Sequence, residues 1–410
     1  ALGGAGRAGA GGGAARSEAT AGSARYRASE NGSGMGAGED TVGSSRGGGA
    51  AAGGGTQATR LSVLTFNVLA PCYKRVGPPV PREPLEASLG APRPRRAREA
   101  SDPATWLARQ RACIAEIEAA RADVCMLQEF QLDNADFVSL YEDAFAHTYE
   151  MFYARRPGKA DGLCTMVRRE ALRVVGGGAH SVTLVPKGDR VATILAVQRR
   201  GDARTGTGEG GAAGAPTLLL CNTHLSFNHG KLWDRRVRQM QAAALTAALR
   251  RRDAELAAAA GGGTGVADAY VIGGDFNGDR EEFVFKHMIG WGYEDAMGVT
   301  CSTDGGVVTH LTHNGDAIEA DYFFVLDRGD TRGGGVTKGE PRSRAVAFAS
   351  SELLPQGLSN TAWPDEHAYS MSDHRPLKAE LDWLSASAPV DTDDARAGQV
   401  VPAEAAHAVF

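Results

Sequence analysis

What the chain lacks narrows its chemistry first. Its six cysteines (Cys72, Cys113, Cys125, Cys164, Cys221 and Cys301) include no CxxC pair, so neither a thiolate zinc site nor a disulfide framework is signalled. A reducing intracellular compartment follows, with the cytoplasm as the simplest setting. No apolar run approaches the roughly 18–20 residues that a membrane-spanning helix needs. The net charge of -5 is spread over 410 residues, so no overall basic character announces a nucleic-acid partner, although local clusters can still bind phosphate. No internal repeat is present, which excludes a solenoid.

Glycine is abundant instead, with 54 residues concentrated towards the N-terminus. Residues 1–57 are nearly all Gly, Ala, Ser and Arg, without the apolar periodicity that could offset the entropy of ordering them, and they read as a disordered leader. The first 29 are rich in Arg and Ser and poor in acids, resembling an organellar transit peptide, which makes organellar targeting the alternative to the cytoplasm. Residues 58–384 read as one folded domain and 385–410 as a disordered Ala- and Asp-rich tail.

Inside the domain, "LSVLTFN" (61–67), "DVCMLQE" (123–129), "TLLLCNTH" (217–224), "AYVIGGDFN" (269–277) and "ADYFFVL" (320–326) are short, nearly continuous apolar runs. Such runs suit sheet strands covered on both faces. Helices are predicted between them. Trp106, Gln110, Cys113 and Ile117 form one stripe at helical spacing, and Trp233, Val237, Met240, Ala244 and Ala248 form another, over about 231–252. Alternating strands and helices imply a layered α/β domain. Segments 76–104, 201–216 and 327–345 read as surface insertions.

Asp275, Asn277 and Asp279 in "VIGGDFNGD" mimic the opening of a calcium-binding EF-hand loop. That loop needs glycine at its sixth position and a chelating glutamate at its twelfth; here those positions hold Arg280 and Lys286. Two cations cannot do that work, and a strand-like run precedes the motif in place of a helix.

The ends of the other predicted strands are more informative. Asn67, Glu129, Asn222, His224, Asp275, Asn277 and Asp321 terminate apolar runs, and Asp373 and His374 follow in "SMSDHRPLKAEL". In a layered sheet, strand ends and their loops converge on one crevice. Hard oxygen donors suit Mg2+ or Mn2+, while histidines and further carboxylates suit proton transfer and phosphate contact. Each residue also has a plain structural alternative, a turn asparagine or a hydrogen-bonded carboxylate. His310 and His313 of "THLTHNGD" fall in a hydrophilic loop and remain unassigned, with substrate contact as the minor alternative.

The ordered set "TFNVLA", "LQE", "NTHL", "GDFN", "DYFFV" and "SDHRPL" resembles the endonuclease/exonuclease/phosphatase, or deoxyribonuclease I-like, superfamily, over about Leu61–Leu381. The resemblance implies an α/β (α+β) four-layer αββα sandwich of two packed mixed sheets flanked by helices, and a Mg2+- or Mn2+-dependent phosphodiesterase. It implies Glu129 as the principal metal ligand with Asn67 and Asp373 beside it, Asp275 as the activator of the attacking water, and Asn277 on the phosphate or nucleophile. His224 would donate to a phosphate oxygen, and His374 would face the phosphate with its charge favoured by Asp321. Asn222, Asp161 and Arg190 are expected to contact substrate.

"TFNVLAPCYKR" is most similar to the deadenylase and nocturnin-like branch and to plant relatives that append an EF-hand, although no EF-hand follows here. RNA hydrolysis from a 3′ end is the leading expectation. A phosphodiesterase or phosphatase on a lipid headgroup, inositol phosphate or nucleotide cofactor is the alternative, and a catalytically silent binding domain the third. Lys231, Arg235, Arg236 and Arg238 opening the second helix, and six arginines between Arg75 and Arg98, are candidate phosphate contacts.

Overall fold

The computed structural model describes residues 59–77, 96–186, 188–200, 216–227, 231–261, 265–300, 306–328, 344–365 and 368–383. The predicted leader and tail lie outside them, as do most of the three predicted insertions. The chain divides into the units Ala1–Gly53 and Gly54–Phe410, and the described sheets and helices all lie in the second.

Two six-stranded sheets carry the fold. Strands β1 (Thr59–Asn67), β2 (Val124–Gln131), β3 (Tyr149–Arg155) and β4 (Asp161–Arg168) belong to the first, with β13 (Val346–Leu353) and β14 (Leu377–Trp383), in the order β13-β14-β1-β2-β4-β3. The second contains β5 (Leu172–Leu184), β6 (Arg190–Arg199), β7 (Leu218–His224), β8 (Ala269–Asp275), β9 (Glu294–Asp295) and β12 (Asp321–Asp327), in the order β5-β6-β7-β8-β12-β9. A small ribbon joins β10 (His310–Leu311) to β11 (Ala317–Ile318). Each large sheet has one parallel pair, β1 with β2 and β7 with β8. A parallel pair needs a crossover; α1 (Pro103–Ala120) and α3 (Leu232–Ala259) supply it. The helices α2 (Ala135–Phe145), α4 (Phe283–Gly290) and the short α5 (Ala296–Thr300) complete the set.

The continuous apolar character of the strands follows from these layers. Leu61 and Val63 of β1, Val124 and Met126 of β2, Leu218 and Leu220 of β7, Val271 of β8 and Phe323 of β12 share one core between the sheets. Their neighbours alternate outward: Leu64, Phe66, Cys125 and Leu127 meet Trp106, Cys113 and Ile117 of α1 and Phe137 of α2. Leu219, Cys221, Tyr270, Ile272 and Phe324 meet Leu245 and Leu249 of α3 and Val284 and Met288 of α4. Four layers, αββα, result as expected.

Capping fixes the start of α1, where Asp102 accepts from the Thr105 N–H at 3.3 Å and Pro103 follows it. The stripe predicted for α3 is corrected. Val237 and Ala248 are buried, but Trp233 and Met240 are 59% and 47% exposed. The buried face turns instead through Arg238 and Gln241, because buried Glu282 binds Arg238 and Ser226 binds Gln241. A buried ion pair outweighs the apolar periodicity there, and Arg238 is thereby removed from the candidate phosphate contacts. Likewise the 76–104 segment is no simple surface insertion, since Glu99 is fully buried against Arg109 at 2.5 Å.

Candidate active site

Strand parity explains why these particular residues meet. Side chains at alternate positions share a face, so Asn67 continues the inward row of Leu61 and Val63, His224 that of Leu218 and Leu220, Asp275 that of Val271, and Asp321 that of Phe323. Each is the inward position at the crevice end of its strand, the last for β1, β7 and β8 and the first for β12. Where the apolar core ends, the sheets open into a crevice of about 380 Å³ lined by Glu129, Asp275, Asn277, His224, His310, Asp373 and His374 together with Tyr73, Arg156, Lys159, Asp189, Arg190, Ser226 and Phe227.

Glu129 breaks the parity rule through a bulge. The pairing of β2 with β4 shifts between Gln128 and Phe130, and Glu129 itself has φ 52°. Left-handed backbone at a non-glycine residue is uncommon, and at an active centre it re-aims a side chain. Here it brings the Glu129 carboxylate to the crevice, where it accepts from the Ala70 N–H at 3.3 Å. Burial, then Asp373 and Asp161, raises its pKa to about 7. Asn277 has φ 53° and lies just past the end of β8.

The two glycines before Asp275 are required by close approach. A Cβ on Gly273 would lie 2.4 Å from the Phe323 ring, and one on Gly274 would lie 2.0 Å from the Thr223 carbonyl oxygen. Larger residues would push β8 away from both neighbours.

Asp275 is the most heavily constrained carboxylate lining the crevice. Its Oδ1 accepts from the Asn277 N–H at 2.8 Å, and its Oδ2 from the Asn67 amide at 3.0 Å. The same Oδ2 lies 3.3 Å from His224 Nε2 and 3.6 Å from His374 Nε2. Burial raises its pKa, with His374 opposing. On the far side of His374, Nδ1 sits 2.8 Å from Asp321 Oδ2. Burial alone would lower the pKa of His374, but Asp321 and Asp275 outweigh it and raise the value to about 10. His374 is therefore an imidazolium at neutral pH, donating from Nδ1 to Asp321.

His224 behaves oppositely. Burial, Arg190 and Arg156 push its pKa well below the usual imidazole range, and its Nε2 faces Asp275 Oδ2 at 3.3 Å. Asn67 is also committed, accepting from the Leu69 N–H at 3.0 Å while donating to Asp275. It therefore orients the Asp275 carboxylate. Asp373 lines the crevice, with Ser372 binding the Asn67 carbonyl at 2.7 Å to hold that loop in place.

Two expected substrate contacts lie away from the crevice wall. Asn222 is wholly buried, donating to the Leu127 and Cys164 carbonyls and accepting from Gln128 at 2.9 Å. Its inward parity places it between the sheets, where it ties them together. Asp161 is buried beneath Tyr73 and Arg156, at 2.6 Å and 2.9 Å, and positions those two crevice residues. Arg190 does line the crevice, 7% exposed, and its Nε and one terminal nitrogen have no partner among the described residues.

His310 corrects another expectation, for it is 5% exposed and lies on β10 across an isolated bridge from His374. Tyr73, Arg156, Lys159 and Phe227 were absent from the sequence-based set. Their cue was faint: cations and aromatics just beyond strand ends already marked as polar. Two groups, His310–Asp373–His374 and Asp275–Asp321–His374, bring donor atoms within 4.8 Å of one another. The second is better read as a charged hydrogen-bond chain than a metal cage, because His374 is held between two carboxylates. Among the described residues, no helix is long and apolar enough to cross a membrane.

Comparison with known proteins places the chain in a family. The family model described as Endonuclease/Exonuclease/phosphatase family matches residues 64–374. An uncharacterized calcium-binding protein of Arabidopsis thaliana is 25% identical over 281 residues, covering 67% of this chain and 52% of that protein; the chain thus spans about half the length of that relative. Among solved structures, ANGEL2, described as a 2′,3′-cyclic phosphatase in complex with adenosine-2′,3′-vanadate, has a TM-score of 0.52 at 18% identity, covering 79% of this chain and 96% of that one. The human Nocturnin catalytic domain with bound sulfate has a TM-score of 0.49 at 16% identity, covering 79% and 93%.

Proposed function

We propose that this chain, which belongs to the endonuclease/exonuclease/phosphatase family, hydrolyses phosphoric ester bonds as a divalent-metal-dependent phosphodiesterase acting on RNA, working from a 3′ end. The observation that supports RNA is the company Asp275 keeps. Phe227, which lines the same crevice, lies against His313, ring centroids 5.6 Å apart, and Arg156, Lys159 and Arg190 also line the crevice. Flat rings beside a phosphate-handling centre suit an unstacked nucleobase attached to that phosphate.

The donor set fits a hard divalent cation. Glu129 and Asp373 both offer carboxylate oxygens to the crevice, where burial and then the Asp373 and Asp161 charges raise the pKa of Glu129. These two residues would hold Mg2+ or Mn2+, which when bound polarises phosphoryl oxygens and offsets the charge of an in-line displacement. Asp275, fixed through both oxygens, takes the proton of the attacking water as the new P–O bond forms. His374 directs an imidazolium N–H to the oxygen that gains charge as the old P–O bond breaks. Asn277, with one amide N–H on the Leu225 carbonyl at 3.1 Å, has its second for the phosphate.

One observation favours a second reading, a phospholipid headgroup as substrate: Leu232 and Trp233, 60% and 59% exposed at the start of α3 beside Lys231, suit insertion into a lipid surface. Poly(A) RNA, mixed DNA, sphingomyelin vesicles, phosphoinositide vesicles and a 2′,3′-cyclic nucleotide, each with Mg2+ or Mn2+, separate the readings. RNA cleavage that falls with Asp275→Ala is expected. Cleavage of the vesicle or cyclic substrates with RNA untouched would overturn the RNA reading.

A further inference from the structure

We propose that Arg109 is a positioning residue for the metal side of the crevice: from α1 its guanidinium ties the loop after β1 to the loop before β14, and so sets how closely Glu129 and Asp373 approach one cation. This rests on the divalent-metal reading above.

Every nitrogen of the guanidinium is engaged. Nε donates to the buried Glu99 carboxylate at 2.9 Å, and Nη2 donates to it at 2.5 Å and to the Leu69 carbonyl at 2.7 Å. Nη1 donates to the carbonyls of Val68 at 2.9 Å and Met371 at 2.8 Å. One planar fork, itself 8% exposed, thus holds two loops that are far apart in sequence. Those loops carry the groups the metal site needs. Past Val68, the Leu69 N–H donates to Asn67 Oδ1 at 3.0 Å and the Ala70 N–H to Glu129 Oε2 at 3.3 Å, so the path of this loop bears on both side chains. Past Met371 come Ser372, whose Oγ donates to the Asn67 carbonyl at 2.7 Å, and Asp373, which lines the crevice. Leu69 also has φ 51°. Left-handed backbone at a bulky residue persists only where its surroundings hold it, and the Arg109 bond to the Leu69 carbonyl is such a hold.

A buried arginine–glutamate pair can serve packing alone, and the second sheet supplies the comparison. Arg238 of α3 is fully buried against Glu282, and its Nη1 donates to the Ser226 carbonyl at 3.3 Å, two residues past His224. The helix layer and the kind of ion pair are the same, but the candidate metal ligands lie on other segments. Arg109 differs in joining two loops that bear on Glu129 and Asp373. Lysine at position 109 would keep a positive charge beside Glu99, but a compact ammonium cannot span a carboxylate and three carbonyls as the planar fork does.

The test measures Mg2+ and Mn2+ affinity of the full chain by calorimetry, together with amide hydrogen exchange of the metal-free protein. Arg109→Lys should weaken Mg2+ binding by on the order of 10-fold or more. In the metal-free protein it should speed exchange at the Leu69 and Ala70 amides while the amides of β1 from Val63 to Phe66 stay protected. The double variant Glu99→Gln/Arg109→Met leaves no charge stranded in the interior, and it should lose affinity to the same extent, which separates positioning from stability. Arg238→Lys should lower the unfolding midpoint as Arg109→Lys does, yet leave Mg2+ affinity unchanged. Undiminished affinity in Arg109→Lys or in the double variant would overturn the proposal. Equal weakening by Arg238→Lys would mark a general loss of stability and overturn it too. If the wild type binds neither Mg2+ nor Mn2+, the divalent-metal reading has failed and this inference falls with it.

Discussion

The two sheets of this protein share one topology and use it for different chemistry. In each, an antiparallel edge pair (β13-β14 or β5-β6) leads to a helix-bridged parallel pair (β1-β2 or β7-β8) and then to antiparallel β4 or β12. Equivalent strand ends present equivalent polar residues: Asn67 and His224, Glu129 and Asp275, Asp161 and Asp321. Their partners differ. Asp161 holds a guanidinium, Arg156, at 2.9 Å, whereas Asp321 holds an imidazole, His374, at 2.8 Å. Guanidinium keeps its proton at any working pH, and imidazole can give one up. On the proposed function the first sheet fixes charge and carries the candidate metal-binding carboxylate, and the second would handle protons. A bulge with left-handed backbone at Glu129 is the local change that sets its strand apart from β8, where Asp275 stays in register opposite Asp321.

Substitutions at equivalent positions should break this symmetry unequally. The largest effect belongs to Asp275→Asn, which should lower the single-turnover rate by roughly two to four orders of magnitude. Asp321→Asn comes next. With its charge gone, burial dominates His374, whose pKa falls from about 10, so the alkaline limb of the kcat/KM profile should move towards neutral pH. In the wild type the raised pKa of His374 stabilises the fold fully below the unfolded value of about 6.5 and loses that contribution as pH rises through about 10. Urea denaturation should show that loss in the wild type and a smaller one in Asp321→Asn.

Glu129→Gln should weaken Mg2+ affinity by on the order of 10- to 100-fold, read by calorimetry. The sign for stability is opposite to intuition. The folded pKa of Glu129, about 7, exceeds the unfolded value of roughly 4.3, so in metal-free protein its contribution falls as pH rises between them. Metal-free Glu129→Gln should accordingly be more stable than wild type above pH 7, by on the order of 1 kcal/mol. The smallest catalytic effect belongs to Asp161→Asn. It should cost roughly 1–3 kcal/mol of stability by leaving buried Arg156 with Asp189, at 3.3 Å, as its counter-charge, while the shape of the pH–rate profile stays put.

Much of this was legible in the strands themselves. Apolar runs that end in Asn67, His224 and Asp275 and one that opens with Asp321 announce their inward parity, and that parity brings them to one crevice. The same parity places Asn222 between the sheets, one inward position too early to meet a substrate. Glu129 was marked by its motif, but its route to the crevice depends on a backbone conformation that residue type does not dictate. Arg156, Asp189 and Phe227 enter through loops whose paths depend on tertiary packing. His310 looked like part of a hydrophilic loop because its burial comes from stacking on His374, 64 positions later in the chain. On α3, an apolar stripe misled because the Arg238–Glu282 pair, nonlocal and buried, turns the helix.

The division of labour between the sheets rests on the proton held by His374. Its imidazole pKa, measured by NMR titration of the metal-free protein, tests that directly. The account predicts titration near pH 10, displaced downward in Asp321→Asn and unmoved in Asp161→Asn. A wild-type ring titrating at or below the ordinary value of about 6.5, or one equally displaced by both substitutions, would contradict it.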